Sequence, residues 1–374
     1  MIAGAVAQAP HARLYLRPTG FVDAPFGLDG RVLRLAGGLL WFSAVEVIVA
    51  AGGRRVACDL VPVAALPQLL SALPDAQRAA AEATLARLVA PRPPLRLGER
   101  TVRLDQPQVM AILNMTPDSF SDGGRFETDP EGAAGAAIAM AAAGAAIIDV
   151  GGESTRPRAQ TVWEGDEIAR TLPVIERLAR GGAAVSIDTR KAAVMEAAIG
   201  AGARLVNDVS ALTYDPRSAA VVANGGGPVV LMHHQGAPET MQDAPTYGDA
   251  LIEVYDWLDA RIAAAEAAGI ARTNILIDPG IGFGKRVAHS LALVNGLSLL
   301  HGLGCPIVLG ASRKRVIGAL SNEAPVDERL GGSLALALAG IAQGVQIVRV
   351  HDVAETAQAI RVWRGLRDSA LTPA

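Results

Sequence analysis

The chain has 374 residues, of which 51% are hydrophobic and only 4% are aromatic. This length fits one large α/β domain with a small additional unit, packed mainly by aliphatic side chains. A formal net charge of −3 argues against a nucleic acid or an anionic membrane as a partner bound through bulk charge. Cys58 and Cys305, the two cysteines, make neither a disulfide framework nor a thiolate metal site, and they favour a cytoplasmic location. Residues 1–13 lack the charged segment and apolar run of a secretory signal.

The first part of the chain predicts a small mixed β/α region. A proline-rich segment at 90–94 (APRPP) fixes extended backbone and predicts a linker. We therefore expect a small N-terminal β/α extension of unknown role over residues 1–95, ahead of a domain over 96–374. Before the linker, strands are predicted at 11–16, 31–35, 39–49 and 54–60, followed by a helical stretch at about 66–89.

After the linker, short apolar runs alternate with Ala-rich helical stretches. Continuous β-branched runs are typical of strands buried on both faces, as in a parallel sheet, and the intervening helices fit right-handed crossovers. Eight such units predict a (β/α)8 TIM barrel, with a doubly wound open sheet as the alternative. The predicted strands are 109–113, 146–150, 184–187, 205–206, 229–232, 275–277, 307–309 and 347–350.

Polar side chains follow nearly every predicted strand, whereas the opposite strand ends carry mostly Gly, Ala and Pro. Because a TIM barrel carries its active site at the C-terminal ends of its strands, this asymmetry predicts a site there. The residues concerned are Asn114, 151–156, Asp188, 207–208, 233–234, Asp278, 312–314, Arg349 and His351.

Part of this set suits a flat heterocycle. The carboxylates of Asp188 and Asp278 can accept paired N–H donors, and the Asn207 amide satisfies an adjacent donor and acceptor. On its own, Asp188 before Thr189 is equally compatible with a helix cap.

Another part suits an anion. Arg349 offers a forked donor pair to phosphate oxygens, and His351 adds a proton or a hydrogen bond. The oxygen of Asn114 can join phosphate oxygens around Mg²⁺, which takes few protein ligands. The sequence has no HExxH and no zinc-type spacing.

Two longer strings carry a specific resemblance. Residues 114–124 (NMTPDSFSDGG) and 149–157 (DVGGESTRP) resemble the two signatures of the dihydropteroate synthase family. Shorter matches continue in the family's order to residue 352, so the resemblance covers about Arg103 to Leu366. It implies a homodimeric TIM-barrel transferase of folate biosynthesis. The implied reaction condenses 6-hydroxymethyl-7,8-dihydropterin pyrophosphate with p-aminobenzoate, giving 7,8-dihydropteroate and pyrophosphate.

The same resemblance implies roles for individual residues. It implies that pyrophosphate departs before the amine attacks. Because an arylamine is already neutral at pH 7, no strong general base is needed, which accounts for the lack of a Ser-His-Asp or Cys-His arrangement in the sequence. The implied catalytic residues are Lys314, Arg349, His351 and Asp122, with Asn114 as a ligand of Mg²⁺. The implied substrate-binding residues are Asp188, Asn207, Asp278, Met232, Phe283, Lys314, Thr155, Arg156, Pro157, Phe120 and Ser312.

Two other functions remain as alternatives. A pterin-binding methyltransferase domain shares the barrel, but it needs neither the 116–120 loop nor the triplet at 312–314. A non-catalytic homologue would be expected to lose loop or lysine residues, which are present here. Outside the motifs, we expect surface or helix-end positions for His11, His289 and His301, and packing roles for Trp41, Trp163, Trp257 and Trp363.

Overall fold

The computed structural model describes residues 2–9, 11–116, 129–154, 161–236 and 240–372. The N-terminal part is built around an antiparallel sheet in which the third strand pairs with the other three. Its elements are α1 Ile2–Gln8, β1 Arg13–Val22, β2 Leu33–Arg34, β3 Trp41–Ala51, β4 Arg54–Pro62, α2 Leu66–Ser71 and α3 Asp75–Val89.

The helical stretch predicted over 66–89 is present, and the structure divides it into two helices. Helix α2 ends at Ser71, and α3 begins at Asp75 with Pro74 as its N-cap residue. Proline has no backbone N–H, and its ring clashes with the preceding turn of a helix, so it starts a helix more readily than it continues one.

The rest of the chain forms a parallel barrel. Strand order is β12-β11-β10-β9-β8-β7-β14-β13, and a parallel bridge between Ile277 and Ile307 joins its ends. This confirms the TIM barrel and excludes the open sheet. The elements are β5 Leu95–Leu97, β6 Arg100–Val102, β7 Gln108–Asn114, α4 Pro130–Ala143, β8 Ala145–Gly151, α5 Glu164–Arg180, β9 Val185–Asp188, α6 Ala192–Ala201, β10 Leu205–Asp208, α7 Ser218–Gly225, β11 Val229–Met232, α8 Ala250–Ala267, β12 Ile275–Asp278, α9 Val287–Asn295, β13 Val308–Leu309, α10 Arg315–Leu320, α11 Leu330–Ile341, β14 Ile347–Val350 and α12 Val353–Leu371.

Side chains inside the barrel lie in layers. The lower layer is apolar and packs against the β5–β6 hairpin; it comprises Met110, Ile147, Ala184, Leu205, Val230, Leu276, Val308 and Ile347. Since side chains alternate along a strand, residues two positions later also face the interior. That second layer is largely polar: Ile112, Asp149, Ser186, Asn207, Met232, Asp278, Gly310 and Arg349. The barrel interior is therefore apolar on the side of the β5–β6 hairpin and largely polar toward the C-terminal ends of the strands.

The N-terminal sheet packs directly on the barrel. Tyr15 and Ile48 belong to the barrel's main hydrophobic core, and Ser298 Oγ donates to the Pro18 carbonyl at 2.8 Å. The predicted linker is packed rather than loose, because Arg92 is buried and donates to the His301 carbonyl at 3.0 Å.

Two expectations for isolated residues are wrong. His301 is buried rather than superficial, and its Nε2 lies 3.0 Å from the Gln343 carbonyl. Burial lowers the pKa of His301 to about 3, which keeps the ring neutral. Trp163 is 71% exposed and does not pack in the core. Among the described helices, none has both the length and the hydropathy needed to cross a membrane.

Candidate active site

An arginine linked to two carboxylates crosses the upper part of the barrel. Arg349 on β14 donates from Nε to Asp149 Oδ2 on β8 and from Nη2 to Asp188 Oδ2 on β9, each at 2.6 Å. Burial lowers the pKa of Arg349, but the two carboxylates outweigh it and raise that pKa overall. The guanidinium therefore stays charged in the barrel interior.

Asp149 was not predicted, because it lies within its strand rather than after it. It accepts a second hydrogen bond at Oδ2, from Asn207 Nδ2 at 2.9 Å. One signal was available in the sequence: Asp149 follows Ile147 by two positions and therefore shares its inward face.

Asp188 is not a helix cap, since the following helix α6 has no side-chain cap and Asp188 binds Arg349 instead. Burial raises the pKa of Asp188 to about 7, with Arg349 opposing the shift and Asp149 adding to it. Within the described residues, three buried polar atoms of this region have no hydrogen-bond partner: Asp149 Oδ1, Asp188 Oδ1 and Ser186 Oγ. Buried acceptors without partners are costly, so this surface is suited to ligand or water donors.

A lysine and an aspartate lie on the opposite side of the barrel. Asp278, at the end of β12, is buried and accepts from the Gly280 N–H at 2.6 Å. Lys314, the N-cap residue of α10, donates to the Ile281 carbonyl and lies 4.7 Å from the centre of the Phe283 ring. Burial lowers the pKa of Lys314 to about 8, although Asp278 opposes the shift. The neighbouring Arg315 is exposed.

A second lysine, which sequence reasoning did not assign, holds the glycine-rich segment in place. Lys285 is buried and lies 2.8 Å from His233 Nδ1 and 3.0 Å from the Phe283 carbonyl. Burial lowers the pKa of His233 to about 2 and the pKa of Lys285 well below its ordinary value. At Gly280 the backbone φ is +66°, and a Cβ there would lie 1.8 Å from the His233 carbonyl oxygen. Only glycine allows this approach.

Ser312 fixes the ring of His351. The Ser312 hydroxyl oxygen accepts from the His351 backbone N–H at 3.2 Å and lies 3.0 Å from His351 Nδ1. The hydroxyl can donate to Nδ1 or accept from it, so the contact sets the orientation of the ring. A ring held in this way can present its other nitrogen to an anion.

Asn114 ends β7 close to Asp188. Its Oδ1 and the Asp188 Oδ2 lie 3.9 Å and 3.8 Å from the position that a Cβ on Gly151 would occupy. Over the described ranges, no group of three or more His, Cys, Asp or Glu side chains is arranged to hold a metal ion. Asn114 therefore fits Mg²⁺ only as a single protein oxygen beside ligand oxygens.

A buried network of four charged side chains adjoins the site and was also missed. Lys191 lies 2.6 Å from Glu167 Oε2 and 3.0 Å from Glu153 Oε1. Arg190 donates to Glu153 at 3.0 Å, and Glu153 accepts from the Val162 N–H at 2.9 Å. Glu153 and Val162 are thereby held together on either side of residues 155–160.

The structure brings together most of the predicted site residues. Met232 lies next to Asp278, since the two are paired across β11 and β12. Five predicted residues lie outside the described part of the chain: Phe120, Asp122, Thr155, Arg156 and Pro157.

Comparison with known proteins places this site in a family. Residues 110–351 match the family model described as pterin binding enzyme. The dihydropteroate synthase of Escherichia coli (strain K12) is 46% identical over 260 residues, which span 69% of this chain and 91% of that protein. The Neisseria meningitidis serogroup B dihydropteroate synthase is 44% identical over 273 residues, covering 72% of this chain and 96% of that protein.

Solved structures of dihydropteroate synthases are also similar to this chain. The Yersinia pestis dihydropteroate synthase, in complex with a sulfonamide drug, superposes with a TM-score of 0.71 at 44% identity and covers 74% of this chain and 99% of its own. The Xanthomonas albilineans enzyme with 4-aminobenzoic acid gives a TM-score of 0.69 at 45% identity, covering 74% of this chain and 98% of its own. The same enzyme in complex with 7,8-dihydropteroate gives a TM-score of 0.66 at 42% identity, covering 74% of this chain and 99% of its own. The chain therefore belongs to the pterin-binding enzymes and, within them, to the dihydropteroate synthase family.

Proposed function

We propose that this chain condenses 6-hydroxymethyl-7,8-dihydropterin pyrophosphate with p-aminobenzoate to give 7,8-dihydropteroate and pyrophosphate. The observation that carries the proposal is the polar upper layer of the barrel, where Asn207, Asp188 and Asp278 face one space with Lys314 and Arg349. Unpartnered carboxylate oxygens there suit the N–H groups of a pterin. No observation favours the methyltransferase or the non-catalytic alternative.

Each residue then has a defined part in substrate binding. Asp188, Asn207 and Asp278 would read the polar edge of the pterin, and Met232 and Phe283 would form apolar walls. Lys314, held over the Phe283 ring, would contact both substrates. Ser312 would act through His351, to which it is hydrogen bonded. Phe120, Thr155 and Pro157 are proposed to contact p-aminobenzoate, Arg156 is proposed to bind substrate, and Asp122 is proposed to take part in catalysis.

The chemistry requires stabilisation of charge more than a strong base. The C–O bond to pyrophosphate breaks first, the electron pair leaves with the pyrophosphate, and the pterin ring nitrogen stabilises the resulting cation. The arylamine nitrogen then forms the new C–N bond and loses a proton. Among the described contacts, Arg349 uses only Nε and Nη2, so its other N–H groups can bind the departing oxygens. The His351 ring, oriented by Ser312, would donate to the same anion.

Magnesium is proposed as the cofactor. When bound, Mg²⁺ would neutralise charge on the pyrophosphate, with Asn114 as one protein ligand. A test is substrate binding by Asn114→Ala with and without Mg²⁺: the metal should strengthen binding of the pyrophosphate substrate in the wild type and much less in the variant.

The decisive experiment for the function incubates the protein with dihydropterin pyrophosphate, p-aminobenzoate and Mg²⁺ and follows pyrophosphate release and dihydropteroate formation. Product should form only when both substrates are present. Binding of the pterin by folded protein without any pyrophosphate release would contradict synthase activity.

We expect kcat/KM for the pterin substrate to fall on the basic side near pH 8. Burial lowers the pKa of Lys314 to about 8, so the ammonium that contacts substrate is present below this pH and lost above it. Lys314→Arg keeps its charge at higher pH and should lose this limb even if its maximal rate is lower. A basic limb that stays near pH 8 in Lys314→Arg would assign the titration to another group.

The remaining proposals concern the whole molecule. We propose that residues 1–95 form an accessory region that stabilises the outer helices of the barrel, since Arg13 pairs with Asp256 at 2.8 Å and Asp259 at 2.6 Å on α8.

We also propose a homodimer in the cytoplasm. Light scattering after gel filtration would give the mass: a value near twice the 38.5 kDa of one chain supports the dimer, and a value equal to it does not.

A further inference from the structure

Asp149 combines features that the proposed reaction does not yet explain. It is fully buried within β8, in the same interior layer of the barrel as Asn207 and Arg349. Its Oδ2 accepts from Asn207 Nδ2 at 2.9 Å and from Arg349 Nε at 2.6 Å. A single oxygen atom therefore connects a proposed pterin-reading residue with the proposed anion-binding arginine.

The contact has a chemical consequence for Asn207. A carboxamide has one donor branch and one acceptor branch, and an ionised carboxylate can only accept. The Asp149 Oδ2 atom also accepts from Arg349 Nε at 2.6 Å, so this oxygen faces donors on both sides. The Asn207 NH2 group must therefore face Asp149, and its carbonyl oxygen must face the other way. Among the described hydrogen bonds, the one to Asp149 is the contact that distinguishes the two orientations of the Asn207 amide.

We propose that Asp149 is a positioning residue that sets the orientation of the Asn207 carboxamide, so that the pocket presents a carbonyl acceptor to an N–H group of the pterin. The inference rests on the proposed function. Asp149 need not touch the substrate; it acts through Asn207, and it aligns Arg349 with the same atom. A mispositioned amide would present N–H to N–H and leave both groups unsatisfied.

Two variants separate this role from a simple balance of charge. Asp149→Asn removes the charge but can keep a carbonyl oxygen toward Asn207 and Arg349, whereas Asp149→Ala removes the acceptor altogether. Direct titration with the dihydropterin pyrophosphate measures affinity without turnover, and KM for p-aminobenzoate serves as an internal reference. Asp149→Ala should weaken pterin binding roughly ten- to a hundredfold. Asp149→Asn should weaken it less than about fivefold, and neither should change KM for p-aminobenzoate comparably.

A double-mutant cycle with Asn207→Ala gives a second, independent measurement. If Asp149 acts through Asn207, most of the loss caused by Asp149→Ala should disappear once Asn207 has been truncated. Melting curves of each variant would identify any that fails to fold. If Asp149→Ala fails to fold, the double variant Asp149→Asn, Asn207→Ala is compared with Asn207→Ala alone. Equal affinities of these two for the pterin support the proposal, and a large loss in the double variant contradicts it. Equal losses of pterin affinity in Asp149→Asn and Asp149→Ala would overturn the proposal in favour of charge balance. Unchanged pterin affinity in both variants would also overturn it. Failure of the wild-type protein to bind pterin would instead reject the proposed function.

Discussion

Lys314→Ala and Asp278→Ala are each expected to reduce kcat/KM by roughly two to three orders of magnitude while leaving the fold intact. Asp278 is buried at the end of β12, and among the described residues its carboxylate accepts one hydrogen bond, from the Gly280 N–H. Lys314 is held by one carbonyl and one ring face. Both side chains thus keep polar atoms for substrate, and their removal takes away contacts in a site shielded from water, where such contacts are strongest.

The two variants should differ in which kinetic constant changes. Asp278→Ala should act mainly on affinity for the pterin, whereas Lys314→Ala, which contacts both substrates in the proposed complex, should lower kcat as well. Asp368→Ala and Arg361→Ala provide matched controls, because both residues are exposed on α12, outside the barrel interior. Synthesis of dihydropteroate at the wild-type rate by both Lys314→Ala and Asp278→Ala would refute the assignment of the site.

The sequence predicted the barrel because its signal is local and repeated. Each strand is a short β-branched run buried on both faces, and each helix is rich in small residues, so that eight alternations were visible without any long-range information. Helix boundaries depended on smaller effects. Within the predicted helical stretch at 66–89, Pro74 divides α2 from α3, because proline cannot continue a helix as other residues do.

The expectation that polar residues at strand ends mark the site found the residues that project into it. It could not find the residues that hold those side chains in place. Asp149 and Arg349 are 200 positions apart in sequence, and only closure of the barrel brings them together. The same holds for Lys285, whose partner His233 lies 52 residues earlier. His301 was misjudged for a related reason: Arg92 donates to its carbonyl and the Gln343 carbonyl lies 3.0 Å from its ring nitrogen, and no pattern around His301 records either contact.

Replacement of Lys191 by methionine is expected to produce the largest loss of stability, about 3–5 kcal/mol. The ammonium lies 2.6 Å from Glu167 Oε2, and Glu167 is completely buried. Its other oxygen, Oε1, has no partner in the part of the chain that the structure describes. Without Lys191, a carboxylate would remain in the interior with no cation beside it, or it would have to take up a proton.

The pH dependence of this loss follows from the same contacts. Burial raises the pKa of Glu167, and Lys191 opposes that shift; without the lysine the folded-state pKa rises further above the unfolded value. A carboxyl group with a raised folded-state pKa destabilises the fold increasingly as pH rises above its unfolded pKa. Lys191→Met should therefore lose more stability at pH 8 than at pH 5, as measured by denaturant unfolding monitored by circular dichroism.

The matched control is the double variant Lys191→Met, Glu167→Gln, which removes the charge that the lysine compensated. It should recover most of the lost stability, because a neutral amide is far less costly to bury than an unpaired carboxylate. Glu153 keeps its bond from Arg190 in both variants, so the comparison isolates Glu167. If the double variant is no more stable than Lys191→Met, the contribution of Lys191 lies in the packing of its aliphatic chain rather than in its charge. A single variant with the stability of the wild type at pH 8 would show that the buried network contributes nothing to the fold.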